Sequence, residues 1–387
     1  MPRIAAAVAL ALLLFAAAGC AQPSQGAMLP LPSFSERALS GLDAEPLKAD
    51  TAFDLPDGAT VALGVSPRIA VDGKGRGFAW DGGDGFRLPA GRVLAAAGGR
   101  VIVAVSSGGS GATEAHDASG RVWRLGFAAQ AAWASPDGRV VALDDGSALR
   151  FVDGATGEAI VTVRAASGAE VAFARDGSAL VNAADRLTRL DAKGNVAWTY
   201  QPKTDVARHV AVTPDGAALL VASGAPDDTA YAFAADGSKL LWKRQLPYGG
   251  AGTWVVSGDG REAVLIGIGD QRQVLRLDTA DGRVLAAWSV PQGYVVRGAA
   301  FGAEGTLWTA LSAPDAATPV ARGQAVPGTV AAGGPGALAV QWSAAGKPLR
   351  VLAARGDILI GPRAAWIWDW DAASGRAAGL ETGGPSR

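Results

Sequence analysis

AAWASPDGRVVAL, residues 131–143, is a short alternating apolar run, an Asp-Gly turn and a second apolar run. EVAFARDGSALVN (170–182) and RHVAVTPDGAALLVA (208–222) repeat the layout. Alternation at period two reads as a half-buried strand, and Asp-Gly between two such strands reads as a hairpin. The turn aspartates Asp137, Asp176 and Asp215 recur every 39 residues, and Gly98 in AAAGGRVIVAV lies another 39 earlier. Asp259 and Glu304 extend the series at intervals of 44 and 45, and Asp57 in FDLPDGATVALG opens it.

A second turn falls between the first ones, in FVDGATGEAIV, RLDAKGNVAW, AFAADGSKLLW and RLDTADGRVLAAW, with glycines at 157, 194, 237 and 282. Two hairpins per period of about forty residues make four strands per unit, the pattern of a β-propeller blade. No stretch beyond residue 50 keeps helical spacing over three turns, so the expected class is all-β. Six blades can be counted between residues 50 and 290, and the last 97 residues leave room for two more, one carrying the Pro/Ala/Gly-rich stretch Ser312–Gly336 as an insertion. The expectation is a single propeller of seven or eight four-stranded blades, with eight favoured.

The hairpin Asp-x-x-Gly-x-x-x-Trp resembles the tryptophan-docking repeat of quinoprotein-like (PQQ-like) propellers. Trp198, Trp242 and Trp288 match its docking position, and Trp80 and Trp123 fit as further members. The Ser135–Gly138 turn is similar to that of WD40-type propellers. The resemblance covers roughly residues 50 to 380 and implies a fold, since propellers with such repeats serve unrelated roles.

The start of the chain reads as an address. Arg3 precedes an almost unbroken apolar run from Ile4 to Gly19, shorter than the roughly 20 residues a membrane-spanning helix needs. Ala17-Ala18-Gly19-Cys20 resembles a bacterial lipobox with Ala17 in place of the usual Leu, and Cys20 is the single cysteine of the chain. The expected organisation is a lipoprotein signal peptide (1–19), a lipid-anchored flexible tether (20–48), the propeller (49–383) and a disordered tail (384–387). Ala21 after the cysteine, in place of Asp, implies the outer membrane in a two-membrane host.

Composition removes several classes of function. The 387 residues are 49% hydrophobic and 18% charged, with 35 basic against 36 acidic side chains, so no basic surplus speaks for nucleic acid. One Cys and two His leave little for disulfides, zinc or Cys/His catalysis. His116 is expected in a solvated turn, and His209 on an inner strand beside Arg208, bonded to a neighbouring blade. Asp before Gly is what a tight turn requires, so the periodic aspartates read as structural. Asp144-Asp145 and Asp227-Asp228 read as solvated loop pairs. Ser106–Gly111 lacks the Gly-Lys-Ser/Thr ending of a phosphate loop. Trp366, Trp368 and Trp370 alternate in AAWIWDWDAAS and would share one strand face, as packing between blades or as a partner-binding stripe.

Quinoprotein dehydrogenases of the PQQ-like superfamily use adjacent cysteines and calcium ligands that this chain lacks, so no cofactor and no metal is expected. Anchor, length and repeat type resemble the lipoprotein propeller subunit of outer-membrane β-barrel assembly machines. That resemblance implies a monomeric, non-catalytic scaffold, membrane-bound through its lipid and holding envelope protein partners. The alternatives are an envelope enzyme of the quinoprotein or lactonase type and a glycan-binding propeller.

Overall fold

The computed structural model describes residues 28–39, 42–48, 51–54, 60–63, 68–71, 76–80, 86–107, 110–164, 169–183, 186–201, 206–224, 227–247, 252–316, 330–332, 336–354, 357–360, 366–371 and 376–381. Those residues form eight sheets of four or five strands. Blades 1 to 6 follow one another along the chain at 60–90, 92–125, 131–164, 170–200, 206–246 and 253–289, each with its strands in sequence order from the inside outward.

Blade 3 shows why the repeat folds this way. Its strands Ala131–Ala134, Val140–Asp144, Ala148–Asp153 and Ala159–Arg164 pair antiparallel, with Ala132 opposite Leu143, Val141 opposite Val152 and Phe151 opposite Val161. The second strand is buried at every position because blades cover both of its faces. Val141 and Leu143 join Leu94, Ile102 and Trp123 of blade 2. Val140 and Ala142, pointing the other way, join Val171, Val181 and Leu190 of blade 4. Period-two alternation thus builds two cores from one strand. Each fully buried Leu such as Leu143 contributes about 1.5–3 kcal/mol. Gly138 closes the first hairpin at φ +69°, a conformation that side-chain-bearing residues rarely adopt.

Blades 7 and 8 share their chain. Blade 7 comprises Val295–Phe301, Leu307–Ser312, Leu338–Trp342 and Pro348–Ala353, and the insertion opens between its second and third strands. Residues 330–332 of that insertion leave blade 7 and become the innermost strand of blade 8, pairing with Asp357–Ile360. Trp366–Asp371 and Arg376–Glu381 follow, and Thr51–Asp54 adds the outermost strand antiparallel to the last. The strand just before blade 1 is therefore hydrogen-bonded to the last blade, which ties the two ends of the blade series together. The insertion is not purely a loop, because it contains a blade strand.

The expected flexible tether is corrected over its second half. Met28–Leu29, Ser35–Glu36 and Glu45–Pro46 pair in parallel with the outermost strands of blades 5, 6 and 7. With Thr51–Asp54 on blade 8, these short strands form a belt that gives four consecutive blades a fifth strand. The segment lacks periodicity because it makes short two-residue contacts with separate blades. Its apolar side chains still find cores: Leu29 and Phe34 pack at blades 5 and 6, Leu39 and Leu42 at blades 6 and 7, and Leu47 at blades 7 and 8. Blade arginines fasten it. Arg244 donates to the Pro30 carbonyl at 2.8 Å, Arg272 to Glu36 at 2.6 Å and Arg350 to Glu45 at 3.0 Å.

Candidate partner-binding face

Strand direction sorts the connections onto two faces. One collects the Asp-Gly turns of both hairpins; the other collects the links between blades and the loops between second and third strands. On the turn face the carboxylates are used up locally. Asp137 Oδ1 accepts from Ser135 Oγ at 2.7 Å and from the Arg139 N–H at 3.0 Å. Asp259 repeats this with Ser257 Oγ and the Arg261 N–H. The Ser257 hydroxyl holds the Asp259 carboxyl below its ordinary range, as the Ser178 hydroxyl does for Asp176 and the Thr156 N–H for Asp153. A carboxylate already accepting its own turn's donors has little left for a ligand.

The opposite face is irregular. It carries residues 126–130, 144–148, 223–224, 227–228 and 268–273 and the root of the insertion at Ser312. Arg297 on the first strand of blade 7 holds that root, donating to Ser312 Oγ at 2.9 Å and to the Pro314 carbonyl at 2.8 Å. A cleft of about 530 Å3 lies beside blade 2, lined by Gly91, Arg92, Ala104, Ser106, Ala129 and Gln130 among others. Arg92 spans it, donating to the carbonyls of Ala129 and Gln130.

Arg92, Ala131, Glu170 and His209 fall 39 residues apart, at or near the start of the innermost strands of blades 2 to 5. Glu170 and His209 thereby meet, with Glu170 Oε2 lying 3.4 Å from His209 Nδ1 and accepting the Val210 N–H at 3.1 Å; both side chains are about one-third exposed. His209 is bonded to the neighbouring blade, as expected. Its partner Glu170 was missed, although the repeat period itself sets the two side by side. Such a carboxylate–imidazole pair can hold or pass a proton, but one lone pair of the carboxylate already serves the backbone.

Three expectations need correction. His116 is not solvated: it lies on the strand Ser110–Asp117, buried, 2.8 Å from Glu114 Oε2. Burial raises the Glu114 carboxyl, and the bond to His116 with the Arg121 and Arg124 guanidiniums outweighs it and lowers it below its usual value. Asp144 is buried and accepts the Gly146 N–H. Burial likewise raises Asp145, yet the Ser147 hydroxyl and Arg150 hold it well below the carboxylate range. Asp228 is buried and Asp227 accepts from Gln245, so neither aspartate pair is a solvated loop. Among the described residues no group of three or more His, Cys, Asp or Glu side chains could hold a metal ion.

The tryptophans at the outer-strand positions reach across to the next blade. Trp242 Nε1 donates to the Thr279 carbonyl at 2.8 Å, and a Cβ placed on Gly282 would fall 2.6 Å from the indole. Trp198 meets Gly237 and bonds the Ala235 carbonyl at 3.1 Å; Trp123 meets Gly157 and bonds the Gly154 carbonyl at 3.0 Å. Trp288 meets Gly346 and packs 5.5 Å from Trp342, fully buried. In blade 3 Val161 takes this place against Gly194. A register shift recurs between the third and fourth strands of blades 2 to 7, close to this position. Such bulges re-aim side chains and add twist. The four contacts are unequal: Trp123, Trp242 and Trp288 are buried, Trp198 only half so.

Cys20 lies outside the described residues, as do the side chain of Trp80 and the tail 384–387. Trp366, Trp368 and Trp370 sit on a described strand opposite Glu381, Gly379 and Ala377, but their indoles lie outside the described residues. Among the described residues no helix is long and apolar enough to cross a membrane.

Eight radially repeated four-stranded sheets, tied at the ends by pairing, define the chain as a β-propeller. Its fold is similar to the Dos1 propeller, at 12% identity and TM-score 0.58 over 87% of this chain and 96% of that one. It is equally similar to the C-terminal WD40 domain of Sif2, at 10% identity and TM-score 0.57 over 88% and 99%. BamB from Moraxella catarrhalis matches more loosely, at 13% identity and TM-score 0.42 over 75% and 96%, too low to bear on its role. No family model matches the chain, and no curated protein does.

Proposed function

We propose that the protein is a non-catalytic, lipid-anchored propeller that acts as a protein-binding scaffold in the cell envelope. The observation that carries this reading is the asymmetry of the two faces: one is a set of self-satisfied turns, the other a rigid platform bearing irregular loops. Rigid scaffolds with variable loops are where binding residues concentrate. Cys20 would supply the lipid, the PQQ-like repeat the rigid frame, and envelope proteins the partners. In a two-membrane host the protein would sit on the periplasmic side of the outer membrane and serve the assembly of outer-membrane proteins. It needs no cofactor.

Crosslinking and pull-down from membranes test the scaffold, comparing wild type with Cys20→Ser and with a deletion of residues 318–327 within the insertion. The expected results are loss of membrane retention in Cys20→Ser and weaker capture of one defined partner on the deletion. Wild-type membrane retention of Cys20→Ser would refute the anchor. Turnover of a sugar or lactone that survives chelation, dialysis and repurification, and is lost in Glu170→Gln, would replace the scaffold with the enzyme alternative.

A further inference from the structure

Among the described residues the added strands run along one half of the ring's rim. Blades 5 to 8 carry the belt as a fifth strand, whereas among the described residues blades 1 to 4 end on their own fourth strands. A terminal strand of this kind presents unpaired N–H and C=O groups, a template for one more strand. The belt shows what this template accepts. At blades 5 to 7 a two-residue parallel pairing is joined by leucines that close the outer end of the core between blades, and a blade arginine takes a belt oxygen.

The same ingredients stand together on the outer strand of blade 3. On Ala159–Arg164 the side chains of Ile160, Val161 and Val163 are only partly buried against the core shared with blade 4, and Arg164 at the strand's end is exposed. We propose that the outer strand of blade 3 binds an extended leucine- and glutamate-bearing segment of a partner protein as an added parallel strand, in the manner of the belt. The geometry rests on the scaffold reading and gives it a second surface, around the rim from the belt and away from the loop face. Main-chain pairing supplies affinity, the leucine pockets set register, and the arginine selects a carboxylate.

The test uses the full-length acylated protein in detergent and a synthetic peptide of belt residues 28–37, MLPLPSFSER, with a photoreactive group in place of Phe34. The expected result is saturable binding with crosslinks mapped to 159–164. Arg164→Glu should weaken it about tenfold, and a peptide carrying Glu36→Lys should regain affinity on that variant, while Arg283→Glu on the turn face changes nothing. Absence of saturable binding at about 1 mM peptide, crosslinks confined to the loop face or to blades 5–8, or indifference to Arg164→Glu would each overturn the rim site. Such a failure with partner capture through the loop face intact sinks the rim site alone. Loss of that capture sinks the scaffold itself.

Discussion

Truncating the docking tryptophans one at a time measures how strongly each blade is held to the next. Trp242 is buried, fits against Gly282 and donates one hydrogen bond to Thr279. Its replacement by Ala removes a large aromatic from a packed seam, at a cost of about 3–5 kcal/mol. Trp288→Ala should cost a similar amount, since the indole is fully buried against Trp342. Trp198 is half exposed and should cost only about 2 kcal/mol, in proportion to the area it covers. Unfolding entropy of roughly 2.1 cal/mol/K per residue gives the ring about 0.7 kcal/mol/K, so ~4 kcal/mol lowers the melting temperature by about 6 °C and ~2 kcal/mol by about 3 °C. The side chains separate further in a Trp→Phe series. Among the described residues the buried Trp288 Nε1 has no acceptor, so Trp288→Phe forfeits no hydrogen bond seen there, whereas Trp242→Phe strands the Thr279 carbonyl and should cost about 1–3 kcal/mol. Thermal melts followed by far-ultraviolet circular dichroism give the order. Equal losses at 198 and 288, or none at 242, would show that stability does not follow the seam contacts seen here.

Deleting 318–327 should leave the melting temperature within a degree or two of wild type, while deleting 313–334 removes the inner strand of blade 8 and should abolish cooperative melting; similar melts for both would exclude residues 330–332 from the blade. A chain starting at residue 55 loses the fifth strands of blades 5 to 8 and should melt at lower temperature with raised binding of a hydrophobic dye; an unchanged melt would make the belt dispensable. The turn carboxylates Asp117, Asp153, Asp176, Asp191 and Asp259 are held below their ordinary values in the folded state. Their stabilisation is therefore complete above the unfolded pKa near 4 and lost as pH falls through the lower folded values. Urea midpoints should stay level from about pH 5 to 7 and fall below about pH 4, and a midpoint that rises on acidification would contradict the turn hydrogen bonds.

The blade plan was legible in the sequence because each step of it is local. Alternating apolar residues choose the strand faces, Asp-Gly chooses the hairpins, and the 39-residue period lays equivalent positions side by side, which is how Glu170 and His209 meet. Where period and spacing hold, six blades between residues 60 and 289 follow from residues that are neighbours in sequence. The belt left no such trace. Residues 28–48 have no period, and their strands exist only because the outer edges of blades 5, 6 and 7 stand ready more than two hundred residues later, with Arg244, Arg272 and Arg350 to receive them. The same holds for residues 330–332, whose partner strand begins at Asp357 and lies in another blade. Burial of His116 and Asp228 was likewise decided by the blades stacked over them, since a turn-like local sequence does not reveal what covers it. Local pattern fixed which residues pair within a blade; long-range packing alone decided which blade edges gained a fifth strand among the described residues.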